Sequence, residues 1–385
     1  MAFDFLVPVK DKVLAFSELL PPQALGKNIH MHTEKDGLPV FAHADVAIFG
    51  VKESRNAFEK KTEKLDLEEI RIQLYRLMMG NWNSTIIDIG DVEEGETVED
   101  TYFVVKEIAA GLLEENIIPI IIGYTQDITL PTYRAFDKIR DMVNLVSIDS
   151  RFDFGEDEEL ISSHSYMSRI ITDKPNNLFN FSNIGYQSYF NAQEEIDLME
   201  RLFFDAYRLG EIASNIELAE PVLRSSDIVS LDLRAIRAAE MGSHKNFSPN
   251  GFTGREICAI ARYAGISDRV SLFGIYEGEN SYQAFQMIAQ IIWYFIEGLS
   301  FRIQEKPTSK SEDFTKFTVP TDTEELVFYK SHVTERWWVE VPSILPQHNK
   351  TNSVALLPCT EGDYLDACNQ NIPERWFKAY RKGLN

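Results

Sequence analysis

The chain has 385 residues, 44% hydrophobic and 25% charged, enough to bury a large core and to carry an extension or a second domain. A formal net charge of -22 disfavours nonspecific binding to nucleic acid or anionic membranes, both of which need a positive field. No run reaches the roughly 18 apolar residues of a membrane span, and residues 1–12 lack the basic start and sustained apolar stretch of a secretory signal. Cys258, Cys359 and Cys368 are odd in number and lack zinc spacing, so a reducing cytoplasm is the expected compartment.

In chain order, short β-branched runs alternate with amphipathic stretches. The runs at 45–50, 85–89, 117–123, 145–149, 228–232 and 270–274 read as strands buried on both faces. The stretches at 67–79, 98–116, 194–209, 254–264 and 281–299 read as helices, so the class is α/β with a mostly parallel sheet. Several runs end in Gly or Asp followed by polar residues. In open parallel sheets ligands sit at the carboxyl ends of strands, which directs attention to the loops after Gly123, Asp149, Asp232 and Gly274.

The pattern changes after 303. Residues 304–313 read as a linker or surface loop, followed by short apolar runs at 325–330, 336–341 and 354–357 and a helix-like stretch at 364–382 with Trp376, Phe377 and Tyr380. The expected organisation is an N-terminal segment (1–40) packed on an α/β domain (41–303), then a linker and C-terminal extension (304–385). So aromatic an extension is expected to pack on its own core or to meet a partner.

Three blocks carry the chemistry: Pro119-Ile-Ile-Ile-Gly-Tyr-Thr-Gln-Asp-Ile-Thr-Leu-Pro131, Asp149-Ser-Arg-Phe-Asp153 and Ser230-Leu-Asp-Leu-Arg-Ala-Ile-Arg237. In this order they resemble the signature regions of the arginase, agmatinase and formimidoylglutamase family of ureohydrolases. That resemblance implies a three-layer α/β/α arginase-like fold, a two-manganese centre, and trimers or hexamers. It also implies that Asp149, Asp153 and Asp232 stand at carboxylate ligand positions. Gln126 and Arg151 then stand where the family has histidine ligands, and Arg234 where it has another carboxylate; Arg237 takes the next acidic position. Asn250-Gly-Phe-Thr-Gly-Arg-Glu256 is similar to a further family element. His164 resembles the histidine that assists proton transfer, and Glu277 the substrate-facing glutamate at a strand end.

The replacements matter physically. Arginine stays protonated and has no lone pair for a metal, and an amide oxygen is a weak ligand beside imidazole. A guanidinium about 4 Å from a divalent ion repels it by roughly 8 kcal/mol at an effective dielectric of ~20. The same arginines can neutralise carboxylates left without a metal, so Arg151 and Arg234 are both expected to pair with the aspartates. The leading expectation is therefore a catalytically inactive ureohydrolase-like protein with a structural, interaction or regulatory role. It would need no cofactor and would meet partners through its C-terminal extension. A divergent C–N hydrolase, which would use manganese, is the enzyme alternative. A small-molecule sensor binding a carboxylate through Arg151, Arg234 or Arg237 is the third.

Overall fold

A computed structural model describes residues 2–58, 64–155, 161–243, 247–307, 312–322, 324–343 and 353–384. Ten strands form one sheet: β1 (Leu6–Val7), β2 (His30–Met31), β3 (Val46–Val51), β4 (Ile86–Val92), β5 (Ile118–Gly123), β6 (Val143–Ile148), β7 (Leu178–Tyr186), β8 (Asp205–Arg208), β9 (Ile228–Asp232) and β10 (Leu272–Tyr276). Their order is β1-β4-β3-β5-β10-β9-β6-β7-β8, with β2 also on β4. Only the β1–β4 pairing is antiparallel among these strands.

Alternation along each strand builds two cores, one on each face of the sheet. Val46, Ile48, Ile120 and Ile122 face the helices Leu67–Tyr75, Gly254–Ile266 and Tyr282–Leu299. Ala47, Phe49 and Ile121 face the helix Val98–Glu114, which starts at a capping box between Thr97 and Asp100. These are the three layers of the expected α/β/α architecture. Helices Gly254–Ile266 and Tyr282–Leu299 approach so closely that a Cβ on Gly265 would lie 2.1 Å from the Phe295 carbonyl oxygen. Glycine is what permits that crossing.

Two sequence expectations need correction, and one strand carried no expectation. The helix read at 194–209 is two elements: Gln193–Arg201 ends, Phe203 reverses the chain at φ 55°, and β8 follows. Strand β7 was not foreseen, because Asn180, Ser182 and Asn183 interrupt its apolar run. The stretch at 364–382 is likewise two helices, Glu361–Cys368 and Glu374–Leu384, separated by a turn in which Gln370 has φ 68° and Pro373 precedes the second helix.

Beyond 303, β11 (Phe314–Pro320), β12 (Glu325–Ser331), β13 (Trp337–Ser343) and β14 (Ser353–Cys359) form an antiparallel meander. Trp376, Phe328, Trp337 and Val339 make its own small core. Arginines tie it to the α/β domain. Arg224, 5% exposed, donates from Nη2 to the carbonyls of Trp337 (3.0 Å) and Cys359 (3.5 Å) and stacks over Trp338 at 4.4 Å. Its Nε lies 3.0 Å from Glu220 Oε1, which Arg336 Nε also reaches at 3.1 Å. Arg375 joins Pro358 to Pro221 by donating to both carbonyls, at 2.7 and 3.4 Å. The extension therefore packs on its own chain. Among the described residues, no helix is long and apolar enough to cross a membrane.

Candidate functional site

The sheet order places β5, β10, β9 and β6 side by side. Their carboxyl ends deliver Gln126, Glu277, Asp232 and Asp149 to one region, with Asp153 and Arg234 just beyond. All of the acidic residues here are buried. Asp153 (φ 56°) and Glu277 (φ 64°) adopt the left-handed backbone region, uncommon outside glycine.

Two aspartates shape the turns that follow their strands. Asp149 Oδ1 accepts from the backbone N–H of Arg151 at 2.9 Å, and Asp232 Oδ1 from that of Arg234 at 2.6 Å. An aspartate bonding two residues ahead in this way stabilises a turn. From this shared geometry the two arginines diverge. Arg234 folds back: Nε donates to Asp232 Oδ2 at 2.9 Å, and Nη2 lies 2.8 Å from the same oxygen and 3.6 Å from Glu277 Oε1. Arg151 turns outward, donating from Nη1 to the Phe190 carbonyl at 2.7 Å and stacking over the Phe190 ring at 4.8 Å. The expectation that both arginines neutralise the aspartates is thus corrected for Arg151. The Phe190 carbonyl and ring offer it a partner that leaves the guanidinium half in solvent.

His164 lies over this pair. Arg234 Nη1 is 2.9 Å from His164 Nε2. Arginine can only donate, so Nε2 is the acceptor and the ring proton is on Nδ1. Burial, then the charges of Arg234 and Arg151, lowers the histidine to about 3. It is held from above by Phe58, whose ring lies 4.1 Å away at 30°, while Phe58 N–H donates to Ser163 Oγ at 3.3 Å.

Gln126 is fully buried. Its amide Nε2 donates to Ser147 Oγ at 3.1 Å, and its backbone N–H donates to Glu277 Oε1 at 3.1 Å. Asp149 and Asp153 lie within hydrogen-bonding reach of each other. Burial and the neighbouring Asp149 charge push Asp153 well above the ordinary carboxylate range. Burial also raises Asp232, against the pull of Arg234. Arg237 stands apart from this group, paired with Glu240 at 2.5 Å.

One part of the site was not singled out from sequence. Asp127, next to Gln126, accepts from the Tyr102 hydroxyl and from Asn56 Nδ2 (3.3 Å), and burial raises its carboxyl to about 6. An acidic residue within the first block was the available signal.

The donor set does not fit a two-manganese centre. Such a centre needs ionised carboxylates and unprotonated imidazoles free to coordinate. Here the guanidinium of Arg234 takes up Asp232 and faces Glu277, His164 Nε2 accepts from the same guanidinium, and Gln126 offers only an amide oxygen. Among the described residues, no three His, Cys, Asp or Glu side chains are arranged to hold a metal ion.

Residues 44–296 match the sequence profile of the arginase family. No curated protein matches the chain. Among solved structures, Trypanosoma cruzi formiminoglutamase with Mn2+2 is similar at 14% identity and a TM-score of 0.60, covering 69% of this chain and 96% of that one. Formimidoylglutamase from Bacillus subtilis is similar at 14% and 0.62, covering 73% and 93%. The agmatine ureohydrolase of Thermoplasma volcanium is similar at 16% and 0.56, covering 74% and 97%. At these identities the likeness is one of fold. The meander of β11–β14 lies beyond the matched residues.

Proposed function

The chain belongs to the arginase family, and we propose that within it this protein is a non-hydrolytic member with a structural, interaction or regulatory role. The observation that carries the reading is the position of Arg234, whose guanidinium neutralises Asp232 and meets Glu277 and His164. A hydrolase built on two divalent ions uses them to generate hydroxide near neutral pH. In this chain a fixed cation takes up the carboxylate that would serve them.

The role is then carried by surfaces. The docked meander and its two helices add one that the matched family region lacks, and we assign partner contact, or contact between copies of this chain, to that extension. A carboxylate sensor is not favoured, because Arg151, Arg234 and Arg237 each already have a partner.

One observation favours a second reading. Apart from each other's carboxyl group, Asp153 has no hydrogen-bond partner on either oxygen, nor has Asp149 on Oδ2, among the described residues, although both side chains are buried. Such oxygens could serve one cation in a divergent C–N hydrolase. Elemental analysis of protein incubated with excess manganese and then desalted decides between the two. Less than about a tenth of an ion per chain supports the non-hydrolytic reading. One or two ions per chain, with hydrolysis of formimino or guanidino compounds, overturns it.

A further inference from the structure

The amino ends of β4, β3 and β5 border a cavity of about 580 Å³, at the opposite end of the sheet from Asp232. That volume lies within the range of small-ligand pockets. Its walls come from 81–84 before β4, Asp45 before β3, Asn116 before β5, and 299–302 at the end of the helix Tyr282–Leu299. Phe301 and Arg302 lie beyond the residues that match the family profile.

Arg302 is fixed in place but not neutralised. Nε donates to the Gly265 carbonyl at 2.7 Å and Nη2 to that of Val270 at 2.9 Å, while Nη1 has no acceptor among the described residues. No carboxylate among them lies within ion-pairing distance of this guanidinium, and burial lowers it to about 10 against the pull of Asp268. A cation in that state favours an anion that brings acceptor oxygens with its charge. The side chains of Asn81, Asn83, Ser84 and Asn116 make no hydrogen bond among the described residues. Amides both donate and accept, which suits hydroxyl groups on a ligand. Asp45 spends Oδ2 on the Thr85 N–H at 2.8 Å. Phe301 is 53% exposed, with Arg262 over its ring at 4.9 Å, and offers a flat apolar wall.

We infer that this cavity binds a small polyhydroxylated carboxylate of the sugar-acid class, its carboxylate on Arg302 and its hydroxyls on the amides of Asn81, Asn83 and Asn116. Asp45 Oδ1 accepts a further hydroxyl, and the C–H face of the ligand lies on Phe301. A simple anion would leave the amides in water, and a neutral sugar would leave the guanidinium without a counter-charge. Nothing in this inference depends on Arg234 or on metal content.

The test is calorimetric titration of the full chain with gluconate at constant ionic strength, with acetate and glucose as controls. Acetate carries the charge without the hydroxyls, and glucose the hydroxyls without the charge. The expected result is saturable gluconate binding with a Kd of roughly 1–10 mM, and affinities at least about tenfold weaker for both controls. Asn83→Asp, at an exposed wall position, sets a second carboxylate in the cavity and is expected to weaken gluconate by about tenfold with the thermal midpoint unchanged. Arg302→Gln is expected to abolish binding; where loss of its two carbonyl bonds prevents folding, Asn83→Asp carries the test alone. The inference is overturned if gluconate does not saturate, if acetate or glucose matches it, or if Asn83→Asp binds it as wild type does.

Discussion

Arg234 reaches back two residues to bind Asp232 through its side chain, at 2.9 Å from Nε and 2.8 Å from Nη2. Arg151 stands in the same relation to Asp149 in sequence but spends its guanidinium on the Phe190 carbonyl and ring. Equal spacing therefore gives unequal energetics. Arg234→Ala strands a buried carboxylate and is expected to cost roughly 3–5 kcal/mol. Arg151→Ala removes a half-exposed contact and should cost about 1 kcal/mol. Urea denaturation of the two variants, with unchanged dependence on denaturant, checks the contrast. Equal losses would mean that Arg151 also supports the aspartates.

A pH dependence follows from Asp153. Its carboxyl is raised in the folded state by burial and by Asp149, so the native chain keeps a proton that the unfolded chain loses near pH 3.9. The stabilising contribution is complete below that unfolded value. It declines as pH rises through the folded pKa. Asp153→Asn removes the titration and suits the left-handed backbone, which asparagine tolerates. The variant should match wild type most closely at pH 4 and melt above it at pH 8. A wild type that remains the more stable at pH 8 would show that an ionised Asp153 has a partner in solution.

The fold was legible where periodicity was clean. The apolar runs that became β3, β5, β6, β9 and β10 lie at the centre of the sheet, where burial on both faces demands continuous hydrophobicity. Strand β7 carries Asn180, Ser182 and Asn183 because it makes side-chain bonds: Asn180 and Ser182 to Asp205, and Asn183 to the Arg151 carbonyl. Such polar strands leave no period-two signal. At the site, the motif frames gave the positions of Asp149, Asp232 and Arg234. They could not give the direction of a long side chain, which Phe190 decides for Arg151 from 39 residues away.

The C-terminal meander should depend on Arg224. Its buried guanidinium bonds two carbonyls on adjacent strands, β13 and β14, stacks on Trp338 and pairs with Glu220. Arg224→Ala takes the donor from those carbonyls and leaves Glu220 with Arg336, at a cost of roughly 3 kcal/mol concentrated at the junction. Hydrogen exchange should therefore accelerate in β13 and β14 while the amides of β3 and β5 keep their protection. Uniform acceleration would show that the two sheets unfold as one unit.

Restoring the replaced positions tests whether the site lost its metal through side chains alone. The triple change Gln126→His, Arg151→His and Arg234→Asp removes two guanidinium groups and adds two imidazoles and a carboxylate. It shifts the local formal charge by about -3 with the histidines neutral. Asp149, Asp153 and Asp232 are already at adjacent strand ends, and Asp153 and Asp149 bring oxygens that meet only each other's carboxyl group. The variant should bind manganese stoichiometrically, read per chain by elemental analysis, and gain thermal stability with added metal, while wild type does neither. Arg234→Asp alone should bind less, because Gln126 still spends its amide on Ser147 and supplies no imidazole. A folded triple variant that takes up no metal would show that backbone geometry as well as ligand identity has departed from the metal-binding arrangement.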